Sequence, residues 1–140
     1  MKVNSIHPIK KSNVALPIYL ESIKAGFPSP ADDFIDKKLD LNDLLIKHPV
    51  ATFFVRVSGD SMLGAGIHTG DILVVDRALE AVNANIVVAV INGELTVKRL
   101  RMARGKVTLM PENIHYKPIE ITENDDFSIW GVVTSVIHRV

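Results

Sequence analysis

The sequence predicts a mostly β domain that carries an extended N-terminal arm. Three observations point there. Valine, isoleucine and aromatic residues gather into short runs from Val50 onward. Asn92-Gly93 stands between two of those runs, a strong hairpin signal. Five of the seven prolines (Pro8, Pro17, Pro28, Pro30 and Pro49) punctuate the first part of the chain.

The arm is assigned to residues 1–48. Residues 1–30 show no sustained helical or strand periodicity apart from a short apolar piece, Leu16 to Leu20. Its charge changes sign along its length. Lys2, Lys10, Lys11 and Lys24 face Glu21 over residues 1–24, whereas five aspartates face two lysines over residues 31–43. A short helix is expected near Ala31 to Lys38 and a further turn near Asn42 to Ile46. The β domain is assigned to residues 49–140, with strands over Val50–Val57, Ile72–Val75, Ile86–Ile91, Leu95–Leu100, Val107–Met110 and Phe127–Val140. Arg104-Gly105 is a weaker turn signal. Gly64, Gly66 and Gly70 cluster in the connection after Ser61, where a short helix is expected to start at Asp60 or Ser61.

Composition narrows the function classes. A chain of 140 residues is one domain's worth, able to bury roughly two-thirds of its unfolded surface. Sixteen basic residues balance sixteen acidic ones, which argues against a broad electrostatic grip on nucleic acid. Cysteine is absent, so disulfides and thiolate metal sites are excluded. The five histidines (His7, His48, His68, His115 and His138) form no zinc-ligand spacing, and neither a metal nor a cofactor is expected. Met1 to Lys11 lacks the apolar stretch of a signal peptide, and no run of about 18 apolar residues occurs, so a cytoplasmic location is expected.

Ser61 and Lys98 are the candidate catalytic pair. Ser61 follows an apolar strand in Val55-Arg56-Val57-Ser58-Gly59-Asp60-Ser61-Met62, and Lys98 lies inside the strand-like run Gly93 to Leu100. A serine hydroxyl is a poor nucleophile until a base takes its proton, and a neutral amine can do this in place of histidine. A free lysine has a pKa of about 10.4, so neutrality near pH 7 needs a depression of roughly 3 units, or about 4 kcal/mol. Burial can supply that. On an alternating strand Lys98 shares a face with Thr96 and Leu100. It is the only lysine between Lys47 and Lys106, in a stretch that includes five arginines, which cannot lose their protons. Position alone favours an exposed strand lysine and a helix-capping serine. The Gly-x-Ser-x-Gly elbow is not matched, since Leu63 stands at its last glycine position. His68 is the only triad histidine near Ser61, and Asp60, Asp71 and Asp76 read as turn partners.

The segments Ser58-Gly59-Asp60-Ser61-Met62, Gly70 to Asp76 and Glu94 to Leu100 resemble the LexA/UmuD self-cleaving peptidases. Two arm segments, Ala25-Gly26-Phe27-Pro28-Ser29-Pro30-Ala31 and Leu39 to Ile46, look more like the UmuD branch than LexA. The resemblance runs from about Pro17 to the C-terminus. It implies a LexA/signal-peptidase-like β-rich catalytic domain, with Ser61 as nucleophile, Lys98 as general base and the scissile bond at Ala25-Gly26. It further implies an SOS-response role: cleavage promoted by RecA on single-stranded DNA, then service of the shortened homodimer as accessory subunit to a UmuC-type Y-family translesion polymerase. LexA-type repressors place a winged helix-turn-helix, roughly 60 or more residues, before the cleavage site. Only 25 residues precede Gly26 here, so sequence-specific DNA binding is not expected. The competing readings are a protein-interaction module that never cuts, a LexA-like repressor fragment, and a signal-peptidase-like enzyme, which would need a membrane anchor.

Overall fold

Alternation of apolar and polar residues, broken by glycine-containing turns, produces a sheet that closes on itself. The structure is a computed structural model that describes residues 1–9, 15–19 and 35–140, with the side chains of residues 15–19 and 35–39 outside the description. It divides into two compact units, one of Met1–Ile9 with His48–Val140 and the other of Lys10–Lys47.

The larger unit holds eight strands: β1 (Lys2–Pro8), β4 (Thr52–Ser58), β5 (Ile72–Asp76), β6 (Ile86–Ile91), β7 (Glu94–Ala103), β8 (Lys106–Met110), β9 (Ile119–Glu120) and β10 (Phe127–Ile137). Their order is β1-β4-β5-β10-β6-β7-β8-β9, and every neighbouring pair is antiparallel. β1 also meets β7 through Lys2 opposite Thr96. Six strands therefore form a ring without a free edge, and β8 with β9 extends from β7. The Asn92-Gly93 turn joins β6 to β7 with both residues at positive φ (49° and 83°), as a tight hairpin matched to strand twist requires.

Period-two alternation sends side chains to two apolar clusters. Val55, Val57, Met62, Ile67, Leu73, Val75, Val88 and Val97 pack with Met1 in one. Val87, Ala89, Leu100, Leu109 and Val132 form the other. The mostly β prediction therefore holds, and the strand predicted over Ile86–Ile91 matches residue for residue.

The smaller unit contains the antiparallel pair β2 (Ala15–Tyr19) and β3 (Ile35–Asp40), followed by the one-turn helix α1 (Leu41–Leu45). Asp40 caps α1 by accepting from the Asn42 N–H at 2.9 Å. Residues 35–38 of the helix expected near Ala31 to Lys38 are strand instead. Pairing with β2, which sets Lys38 opposite Pro17 and Lys37 opposite Ile18, satisfies their backbone better than an isolated short helix would. Residues 31–34 of that expected helix lie outside the described residues. β1 was not expected either; residues 1–9, assigned to the arm, belong with the larger unit, β1 being paired to β4 from Lys2 opposite Ser58 to Pro8 opposite Phe53.

Candidate active site

The site forms where β7 changes neighbours. Along Arg99–Ala103, β7 pairs with β8 in the register Arg99 to Met110 through Ala103 to Lys106. Before Arg99 that edge is left to residues from elsewhere in the chain. Met1 occupies part of it, its carbonyl accepting from the Val97 N–H at 3.0 Å and from the Thr96 hydroxyl at 3.1 Å. Lys98 stands beside this gap, paired with Val87 of β6 and only 5% exposed.

Lys98 does not have the exposure that its sequence position favours. Its Nζ lies 3.0 Å from Ser61 Oγ, 3.1 Å from Thr96 Oγ1 and 3.1 Å from the Val97 carbonyl. Burial pushes the ammonium below its ordinary pKa, because removal from water penalises the charged form. Among the described residues, its hydrogen-bond partners include the serine hydroxyl and a short polar cradle, and no carboxylate is there to hold the charge.

Ser61 is 1% exposed and sits in a turn just before a short 3-10 segment, Leu63–Ala65, rather than at the start of an α-helix. The chain after β8 clamps this turn from the side. The Glu112 N–H donates to the Ser61 carbonyl at 2.8 Å, and the Gly64 N–H donates to the Glu112 carbonyl at 2.7 Å. Asn113 Nδ2 donates to the Asp60 carbonyl at 2.8 Å, while the Tyr116 hydroxyl bonds the Asp60 carboxylate. Glu112 is itself held by an ion pair with Arg99 of β7. The clamp needs glycine at position 64, where a Cβ would stand 2.7 Å from the Glu112 carbonyl oxygen.

Met1 completes the site. Its α-amine donates to Ser61 Oγ at 2.6 Å, so Ser61 receives hydrogen bonds from two amines at once. Burial and the adjacent Lys98 lower this amine from 8.0 to about 5, against a weaker opposing pull from Asp60. Among the described residues no acceptor engages the backbone N–H of Ser61 or Met62.

The sequence-predicted Ser61 and Lys98 are therefore brought together across 37 residues. Ala25 and Gly26, the predicted cleavage site, lie outside the described residues. His68 does not approach as a triad member; its bonds go to Asp71. Asp71 and Asp76 are turn partners, accepting from the His68 and Ala78 N–H groups at 2.8 Å each. Sequence reasoning missed Glu112, Asn113 and Tyr116, whose loop after β8 carries no spacing signal. Thr96 was visible only as a residue sharing a face with Lys98.

A family model described as Peptidase S24-like matches residues 17–134. The chain is 47% identical over 136 residues to Protein MucA of Salmonella typhimurium, covering 96% of this chain and 92% of that protein. Protein SamA of Salmonella typhimurium strain LT2 is 45% identical over 123 residues, covering 88% of this chain and 85% of its own. The LexA repressor of Bordetella parapertussis is 36% identical over 131 residues, which span 94% of this chain but 59% of the repressor. A family match over most of the chain, joined to relatives nearly half identical along nearly all of it, makes this chain a UmuD-like member of the Peptidase S24-like family.

Proposed function

We propose that this chain is a serine endopeptidase that cuts itself once, between Ala25 and Gly26, using Ser61 as nucleophile and Lys98 as general base. The observation that carries this reading is the 3.0 Å contact between two buried side chains, Lys98 Nζ and Ser61 Oγ. With Lys98 neutral, the hydroxyl donates to Nζ and Oγ attacks the Ala25 carbonyl carbon as its proton passes to the amine. The carbonyl oxygen takes the negative charge and is met by the N–H groups of Ser61 and Met62. Collapse breaks the C–N bond, and the Lys98 ammonium returns its proton to the departing Gly26 amine. Water, deprotonated by the again neutral Lys98, then releases Ala25 from Ser61.

The small side chains of Ala25 and Gly26 suit a narrow approach to a serine that is almost wholly buried. The family and the relatives support the wider role: SOS mutagenesis, with RecA filaments on single-stranded DNA promoting the cut. The shortened chain then serves, as a cytoplasmic homodimer, as accessory subunit to a UmuC-type Y-family translesion polymerase. No described helix is long and apolar enough to cross a membrane.

The test is incubation of the purified protein at alkaline pH, and separately with RecA, single-stranded DNA and a nucleotide, followed by intact-mass analysis. A new N-terminus at Gly26 is expected, lost in both Ser61→Ala and Lys98→Ala. Cleavage that persists in Lys98→Ala would refute the dyad. Equal polymerase binding by uncleaved Ser61→Ala protein and by the processed chain would refute the role of the cut in partner choice.

A further inference from the structure

Away from Ser61, the fold gathers three potential metal ligands that the sequence keeps apart. His68 and Asp71 lie on the connection between Ser61 and β5, and His138 is the residue immediately after β10. One ligand atom from each of the three falls within 4.8 Å of the others. His138 Nδ1 is 2.6 Å from Asp71 Oδ1, His68 Nδ1 is 3.7 Å from Asp71 Oδ2, and the two imidazole centroids are 4.6 Å apart. None of the three hydrogen-bonds to Ser61 or Lys98 among the described residues.

We infer that His68, Asp71 and His138 form a binding site for one divalent transition-metal ion of the imidazole-preferring kind, such as Zn2+ or Co2+. Two imidazoles and a carboxylate are a recurrent three-ligand set for such ions, with bonds of about 2.0–2.2 Å. Around a tetrahedral ion of that size, ligand atoms stand roughly 3.3 Å apart. Reaching that spacing asks for modest side-chain rotation only. Both imidazoles are about half exposed, while the Asp71 side chain is 2% exposed and held by its hydrogen bonds.

The backbone already holds Asp71 in place. Its N–H donates to the His68 carbonyl at 3.1 Å, its carbonyl accepts from the Val57 N–H at 3.1 Å, and its carboxylate accepts from the His68 N–H at 2.8 Å. Burial opposes ionisation of this carboxyl, but the His68 N–H and the His138 ring outweigh it and hold its pKa below the ordinary value. A buried carboxylate thus stands between two imidazole rings. Arg56 and Arg139 line the adjoining depression, with Arg56 donating to the Gly70 carbonyl at 3.2 Å. Their charge favours an anionic group in the ion's open position. A bound ion would tie the connection after Ser61 to the end of β10.

The experiment uses untagged full-length protein stripped with chelator, titrated with Co2+ and followed by its visible absorption, then back-titrated with Zn2+. One saturable Co2+ per chain is expected, displaced by Zn2+ and not by excess Mg2+. His68→Gln and His138→Gln should each weaken binding about tenfold or more while leaving the far-ultraviolet circular dichroism unchanged. Zn2+ should raise the thermal midpoint of the wild type and of Ser61→Ala, but not of the histidine variants. Absence of saturable binding would overturn the site, as would binding that survives both histidine substitutions.

Discussion

Gly64→Ala tests whether the loop after β8 positions the nucleophile. A Cβ at residue 64 would sit 2.7 Å from the Glu112 carbonyl oxygen, whereas ordinary contact begins at 3.4 Å. The obstacle is backbone, so Glu112 and Gly64 must part by about 0.7 Å, a shift of the size that costs overpacked sites ~1–3 kcal/mol. That separation lengthens the 2.7 Å Gly64-to-Glu112 hydrogen bond and pulls on its neighbour, the 2.8 Å bond from the Glu112 N–H to the Ser61 carbonyl. Stability should fall by about 1–3 kcal/mol in urea unfolding. Cleavage should fall further than stability explains, on the order of tenfold to a hundredfold, because small displacements of a reacting group are costly. The assay is single-turnover self-cleavage by intact mass, over a pH series, at a temperature where both proteins are folded. The pH dependence should keep its midpoint, since Lys98 and its burial lie on β7 and are not disturbed. An unchanged cleavage rate in a measurably destabilised variant would refute the positioning argument.

Self-cleavage of the wild type should rise with pH as Lys98 deprotonates, with a midpoint below the ordinary lysine value because burial lowers its pKa; a flat rate profile refutes Lys98 as base. Lys98→Arg should abolish cleavage, since a guanidinium cannot take the Ser61 proton, and intact mass checks this. Lys98→Met should also be inactive yet at least as stable as wild type at pH 7, because a buried cation is replaced by an apolar chain of similar length. The wild type should gain stability as pH rises. Lys98 has a lower pKa folded than unfolded, so between those values the unfolded chain binds more protons and loses out as protons are removed. The Met1 amine adds a slope of the same sign between about pH 5 and 8, and denaturant midpoints across pH for wild type and Lys98→Met separate the two. Thr96→Val removes a hydroxyl that accepts from Lys98, so the cleavage profile should move to lower pH while its plateau drops severalfold.

The fold class was legible because strand signals are local: Ile86–Ile91 and Glu94–Ala103 announce themselves by β-branched content around Asn92-Gly93. β1 was not, because Lys2–Pro8 mixes polar residues with only Val3 and Ile6 and becomes a strand through pairing to β4 and the burial of Met1. Ser61 and Lys98 could be proposed from their contexts, yet nothing local distinguishes a buried lysine from an exposed one on an alternating strand. What buries Lys98 is the arrival of Ser61 and Met1 at the part of β7 that β8 leaves uncovered. The Glu112–Tyr116 clamp and the meeting of His68 with His138 are likewise products of closure, joining Ser61 to Glu112 across 51 positions and the two histidines across 70.

That closure also sets a condition on the chemistry. Attack on a carbonyl requires its carbon within about 3–3.5 Å of Ser61 Oγ. Met1 already holds that ground, with its amine 2.6 Å from Oγ and its carbonyl on the Thr96 and Val97 donors. A scissile bond cannot enter until Met1 withdraws. The contact opposes attack in a second way, because the Met1 amine donates to a lone pair of the oxygen that must attack, and an oxygen so engaged is a weaker nucleophile. β1 is held to the ring mainly through β4, and to β7 at Lys2 and Met1 alone. The proposed cut therefore requires Met1 to leave Ser61 first, and the contact to be broken is the 2.6 Å hydrogen bond between them.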